Sequence, residues 1–423
     1  MAITAVDRRA VRGALLLAAG LLAGSCANPP GPAVGPPPPE SVEPTVQVGL
    51  MVGAAGVTLG GDAALVLSSP AGELLGEVPA GEVWKAAPTN EGIALSTASG
   101  GRLTVVEQAL VTPAEASAPV RVNGRLYHGT LALLRDRTGL TVVNQVPMEA
   151  YLLGVVSAEM GRRDPSEQEA LRAQAIVSRT YALRNLGRWR SQGFDLFATV
   201  SDQVYAGIGS ETPEGRDAVA TTRGQVLTWN GAPIDAFFFS TCGGRTADGT
   251  EVFRGADRPY LRSVADVGPD GTAYCSISPR FRWRQEWTGA ELRAVLRKWL
   301  PSASGVTAER VADVRDVAVL RRTASGRVGQ LAIRLAREDV NIDGAQVRQV
   351  LRTTQGDILR STAFTLSATR SGGRITRLVA EGGGNGHGVG FCQWGAVGRS
   401  RAGQGYAQIL AAYYPSTELT RMY

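Results

Sequence analysis

Glu159 is the side chain whose type and position most directly offer chemistry. It stands in VSAEM, seven residues after Leu152 and four after Val155, so helical spacing places it on the stripe formed by those apolar side chains. A carboxyl on such a face is desolvated, and the C-terminal end of a helix adds negative potential. Both push it toward the protonated form that a general acid needs. The plain alternative is a structural ion pair with Arg162, Arg163 or Arg179. Glu149, ten residues earlier, falls in the first helical turn, where the dipole favours its anion, and reads as structural. Gln174, Arg179 and Tyr181 lie on the same predicted helix as the small residues Ala170, Ala173 and Ala175, which allow close helix approach. Their polar groups can face a cleft or bridge neighbouring loops. Asp202 and Gln203 in SDQVYAG are further cleft candidates, Asp202 being the nearest thing to a second carboxylate. Ser240 and Thr241 end the apolar run FFFST before Gly243-Gly244, a turn that lets backbone approach a ligand closely. His387, Gln393 and Trp394 lie in the glycine-rich GNGHGVGFCQWGA, the kind of segment in which binding residues gather.

The elements that must position these groups can be read around them. Residues 147–160 carry apolar side chains at 148, 151, 152, 155 and 156, which predicts a helix ending near Glu159. Asp164-Pro165-Ser166-Glu167 is a helix start: Asp164 can cap, Pro165 suits the first turn, and Glu167 completes a capping box. That second helix is predicted to run to about Leu186, with Gly187 as its stop. The pair meets at the turn 161–163. Before it, from 46 to about 146, short β-branched runs alternate with glycine turns and predict strands. After residue 200 strands and loops return, with helices expected at 289–300 and 406–413. The fold class is therefore α+β: a β-rich N-terminal part, 46–120, and a mixed α/β catalytic body, 121–423, whose helical pair carries the site.

The N-terminus reads as an export signal. Arg8, Arg9 and Arg12 precede an apolar run at 13–24 that is too short to span a bilayer comfortably. Cys26 follows Ala23-Gly24-Ser25 and resembles the lipidated cysteine of a bacterial lipobox, although Leu22 sits four rather than three residues before it. A diacylglyceryl group there would hold the chain stably at a membrane. Residues 27–45 are proline-rich and form an extended tether. The full chain of 423 residues has 44 Lys plus Arg against 38 Asp plus Glu, a net charge of +6. That excess suits an acidic polymer. No basic run is interleaved with aromatics, so nucleic acid is not the expected partner.

VPMEAYLLGVVSAEM followed by EALRAQAIVSRTYAL resembles the stage II sporulation protein D family, which includes the amidase enhancer LytB. SDQVYAG, TRGQVLTWNGAPIDAFFFSTCGGRT, PYLRSVAD and GNGHGVGFCQWGA match further along in the same order, so the resemblance spans roughly residues 120–420. It implies a lytic transglycosylase that cuts peptidoglycan glycan stripped of stem peptides, with Glu159 as the catalytic residue, or a glycan-binding partner of a cell-wall amidase without chemistry of its own. It favours Arg179 as a contact for the lactyl carboxylate of a muramyl sugar. Trp394, by its own chemistry, offers either a ring face for a sugar to stack on or a packing side chain. The resemblance places the protein outside the cytoplasm, at the cell envelope. In that oxidising setting Cys242, Cys275 and Cys392 leave one disulfide and one thiol, with Cys242–Cys275 the expected pair. The alternative is zinc held by the three cysteines and His387, ligand types that zinc takes. A Cys242 nucleophile paired with His387 would make a thiol peptidase, but STCGG is not a nucleophile context. The proposed glycan chemistry itself requires no cofactor.

Overall fold

The computed structural model describes residues 42–97 and 100–423. The expected export signal, Cys26 and most of the proline-rich segment lie outside the described residues. Among those described, no helix is long and apolar enough to cross a membrane.

The N-terminal strands build two antiparallel-dominated sheets. In one, Thr45–Ala54 pairs with Leu140–Pro147, which continues through Thr130–Arg135, Gln108–Pro113, Leu65–Ser68 and Leu74–Val78. The other orders Arg125–Tyr127, Val120–Val122, Val57–Gly60, Val83–Thr89, Gly92–Thr97 and Arg102–Val106. Alternate side chains from both, such as Val46, Val48, Leu65 and Leu67 from one and Leu59, Ile93 and Leu95 from the other, meet in a shared core. Strands from 120 to 147 are integral to these sheets. The boundary expected at residue 120 is therefore corrected: it cuts through both sheets, and the β-rich layer runs to Pro147.

At Pro147 the chain turns directly into α1 (Met148–Met160), which meets α2 (Gln168–Arg184) across Gly161, whose φ of 68° ends the first helix. The Asp164 N–H donates to Glu167 Oε2 at 3.2 Å, the return half of the expected capping box. Further helices follow: α3 (Pro213–Thr221), α4 (Gly289–Ser304), α5 (Gly344–Val350), α6 (Gln393–Arg401) and α7 (Tyr406–Tyr413). The helix expected at 406–413 has those bounds. α4 extends four residues past the expected 300, through Pro301, to a left-handed Gly305.

Residues 282–383 form a body with its own core. Trp287, Leu292, Leu296, Leu331, Ile333, Val347 and Leu378 are buried together there, separate from the core of the sheets and the helix pair. The segment leaves the main body after Cys275 and returns before Asn385. It separates, by some 150 residues of chain, two short strands that lie side by side in space: Phe238–Phe239 and Phe391–Cys392 run parallel.

Candidate active site

α1 is buried on most of its surface, with Tyr151, Leu152, Gly154, Val155, Val156 and Ser157 all inside. What sets the environment of Glu159 is therefore the chain that packs around it rather than one apolar stripe. Gly154 matters here: a Cβ at that position would lie 2.7 Å from the Tyr205 ring, so glycine admits the 203–207 segment against the helix. Tyr205 is fixed by a hydrogen bond from its hydroxyl to Asn144 Oδ1 at 2.9 Å and by ring contact with Tyr151. This seating brings the Val204 N–H to 2.9 Å from Glu159 Oε1. From α6, Gln393 Nε2 donates to Glu159 Oε2 at 3.2 Å. Gln174 Oε1, from α2, lies 3.5 Å from the same Gln393 nitrogen, so α2 steadies the amide that α6 brings to Glu159. Burial raises the pKa of Glu159, and the two donors only partly offset it.

Glu159 opens onto a cleft of about 750 Å³ that Asp202, Ser240, His387, Gln393 and Trp394 also line. Its walls carry Tyr181, Phe237, Phe238, Phe239 and Phe253 and four arginines, Arg163, Arg188, Arg280 and Arg348. Sequence reasoning identified none of these four as ligand contacts; only the net charge hinted at them. Arg348 comes from the inserted body, so that body completes the wall. A second hollow, of about 710 Å³, lies on the inserted body's sheet. Its carboxylate, Glu381, is exposed and paired with Arg284.

The cleft's other carboxylate is already committed. Asp202 accepts hydrogen bonds from Tyr181 Oη at 2.9 Å, Arg188 Nη1 at 3.1 Å, Trp189 Nε1 at 2.9 Å and the Phe197 N–H at 2.9 Å. Both of its oxygens are saturated, so it organises the wall and is in no position to attack a substrate carbon.

Several expected contacts are corrected. Arg179 is fully buried and makes a bidentate pair with Glu149, Nε to Oε1 at 2.8 Å and Nη2 to Oε2 at 2.7 Å, with Nη1 on the Gln225 carbonyl. It does not line the cleft of Glu159. Burial raises the Glu149 carboxyl, but Arg179, Tyr423 and the Gly224 N–H outweigh it and hold Glu149 below its ordinary value. Gln174 and Gln203 are buried, Gln203 accepting from the Tyr151 hydroxyl. Thr241 is buried against Ser278. These three support the cleft rather than face it. His387 lies on the wall among Phe237, Phe239 and Phe253. Its Nε2 lies 2.9 Å from the Phe238 carbonyl, and its Nδ1 accepts the Val389 N–H, which assigns the proton to Nε2. Burial pulls its pKa down to about 4, so it is a neutral brace. One face of Trp394 is covered by the Arg163 guanidinium, 4.6 Å from the ring centroid.

The cysteines are also placed differently from expectation. Cys242, Cys275 and Cys392 are all free and buried. The Cys242 and Cys275 sulfurs are 3.4 Å apart, so the expected disulfide is not formed. His387 is not with them. Asp266, from PYLRSVAD, takes the fourth place, and one ligand atom from each of the four lies within 4.8 Å of the others. Such a set could hold a metal. Sequence reasoning missed Asp266 because a single carboxylate nine residues before Cys275 has no ligand spacing that marks it.

Residues 136–229 match the family model described as "Stage II sporulation protein". Residues 273–390 match a "Domain of unknown function (DUF8618)", bounds that nearly coincide with the inserted body. The chain is 29% identical over 299 residues to "Stage II sporulation protein D" of Bacillus subtilis, covering 67% of this chain and 77% of the relative. It is 27% identical over 284 residues to the "Amidase enhancer" of the same organism, covering 60% of this chain and 38% of the relative. A protein of Brachyspira hyodysenteriae described as uncharacterized is 29% identical over 301 residues, covering 70% of this chain and 73% of the relative.

Proposed function

We propose that this chain, which carries a stage II sporulation protein domain and is similar over most of its length to proteins of that name, is a cell-wall enzyme that cleaves peptidoglycan glycan by lytic transglycosylation. The observation that carries the reading is geometric: among the described residues of a cleft lined by arginines and aromatics, Glu159 is the carboxyl left available, since Asp202 is held by four donors.

Glu159 in its acid form donates its proton to the glycosidic oxygen, and the bond from that oxygen to the muramyl C1 breaks. The carboxylate left behind is stabilised by the Val204 N–H and Gln393 Nε2, donors already in place. It then accepts the proton of the same sugar's 6-hydroxyl as that oxygen bonds to C1. The product is a 1,6-anhydro end, Glu159 is again protonated, and no water is consumed. Glycosidases that use water or a protein nucleophile need a second working carboxylate. Here Asp202 is tied up by its four donors, which favours the intramolecular route. Glycan stripped of peptide bears a free lactyl carboxylate on each muramyl unit, an acidic ligand for Arg163, Arg280 and Arg348. In this reading the protein is exported, held at the envelope by a lipid on Cys26, and works beside a wall amidase that prepares its substrate.

The purified protein, with no amidase present, is expected to release soluble fragments from amidase-stripped glycan. Glycan binding without release, together with faster turnover by an added wall amidase, would instead favour the role named for the amidase enhancer relative.

A further inference from the structure

We propose that Cys242, Asp266, Cys275 and Cys392 bind one zinc ion, and that this closed site pins the cleft wall that faces Glu159. The four ligand atoms converge within 4.8 Å of one another, with Cys242 Sγ 3.4 Å from Cys275 Sγ and 3.2 Å from Asp266 Oδ2. A tetrahedral ion with metal–sulfur bonds of about 2.3 Å holds its ligand atoms roughly 3.5–3.8 Å apart. Small adjustments therefore suffice to seat it. Three thiolates and one carboxylate are borderline-soft, four-coordinate ligands, which select zinc over magnesium or calcium. All four residues are buried, which leaves no open position for substrate and makes the site structural.

The surroundings are those of a built site. The Cys242 N–H and the Gly395 N–H point at Cys392 Sγ, at 3.1 and 3.3 Å, and the Gly244 N–H points at Cys242 Sγ at 3.3 Å. Such donors stabilise sulfur that carries negative charge. Only one oxygen of Asp266 faces the sulfurs. The other is held by Arg399 Nε at 3.0 Å and the Tyr413 hydroxyl at 2.9 Å, the outer-shell orientation expected of a ligating carboxylate. Gly395 is required by this closeness, since a Cβ there would lie 2.1 Å from both Asp266 Oδ2 and the Tyr413 oxygen.

Charge gives an independent argument. Arg327 is buried, bonds the Cys242 and Arg245 carbonyls through Nη2, and has no partner among the described residues for Nε or Nη1. An uncompensated buried guanidinium is costly. Three thiolates and a carboxylate carry four negative charges, a divalent ion leaves two, and Arg327 and Arg399 supply two positive ones. The metal-loaded cluster thus explains a cation that neutral thiols leave unmatched.

The consequence reaches the cleft. Cys392 is the N-cap of α6, whose first two residues are Gln393 and Trp394. Cys242 follows Ser240 by two residues, and the Trp394 N–H bonds the Ser240 carbonyl at 3.0 Å. One ion therefore fixes both strands of the wall that delivers Gln393 to Glu159.

The test is elemental analysis of the full-length protein purified without a metal-affinity step. One zinc per chain is expected, unchanged in Glu159→Gln, which separates this site from the glycan chemistry. Cobalt exchanged for zinc should give the intense visible absorption of a tetrahedral ion with sulfur charge-transfer bands. Cys392→Ser and Asp266→Asn should each lower occupancy severalfold in chelator competition. Should Cys392→Ser fail to fold, the wild-type stoichiometry and the cobalt spectrum still decide. A metal-free protein in which Cys242, Cys275 and Cys392 all titrate as thiols after denaturation would overturn the assignment, as would a Cys242–Cys275 disulfide found by mass spectrometry.

Discussion

Replacing Glu159 by glutamine is expected to lower glycan cleavage by roughly 10²–10⁴-fold, the usual worth of a positioned acid/base, while leaving glycan binding intact. The amide keeps the shape of the carboxyl and can still accept the Val204 N–H, so the cleft should keep its form. The variant should also be at least as stable as the parent near neutral pH. The folded-state pKa of Glu159 is raised by burial above its ordinary 4.5. A raised carboxyl contributes stability that is fully present below its unfolded value and is lost as pH rises through the folded one. Above that folded value the anion sits in a desolvated place, a burden that glutamine does not carry. Loss of activity without loss of stability in urea unfolding is the expected pair of results. Loss of both would mean that Glu159 holds the fold together instead.

Arg179→Ala is expected to do the reverse. Removing one partner of a buried ion pair leaves the other charge uncompensated, at a cost of about 3–5 kcal/mol. Glu149 would keep only Tyr423 Oη and the Gly224 N–H. The unfolding midpoint in urea should fall sharply, with little change in KM for whatever fraction stays folded. Acid should reveal the same pair. The Glu149 pKa is depressed in the folded protein, so the stability it contributes is present above the unfolded value and is lost as pH falls through the folded one. A variant of unchanged stability that binds peptide-free glycan more weakly would restore Arg179 as a substrate contact.

The contrast between these two residues shows what the sequence could express. The helix pair was legible because its signals are local: apolar spacing at 148–156, a capping box at Asp164 and Glu167, and a glycine at the turn. Glu159 stood out as a carboxyl among apolar neighbours, but position alone left a structural ion pair open, and only the match of VSAEM to the family singled it out. Arg179 was not legible, because a polar side chain on a helix looks the same whether it faces a ligand or a carboxylate 30 residues back. His387 stood between glycines, which promised an accessible ring, but the positive φ values of Gly386 and Gly388 fold the chain so that backbone occupies both of its nitrogens. The inserted body was missed for a related reason. Strand alternation in 282–383 reports which faces are apolar but not which core they join. The thiol cluster needed three segments spread from residue 242 to residue 392 to meet, and no local pattern carries that.

The central claim, that Glu159 alone cuts the strand by turning the sugar's own hydroxyl on itself, is tested most directly by the mass of the new ends. Wild-type protein incubated with peptide-free glycan is expected to yield fragments ending in 1,6-anhydromuramyl units, each lighter by one water than a hydrolysed end, and Glu159→Gln is expected to yield none. Fragments with reducing ends, able to take up oxygen from labelled water, would contradict the account and require a second working carboxylate.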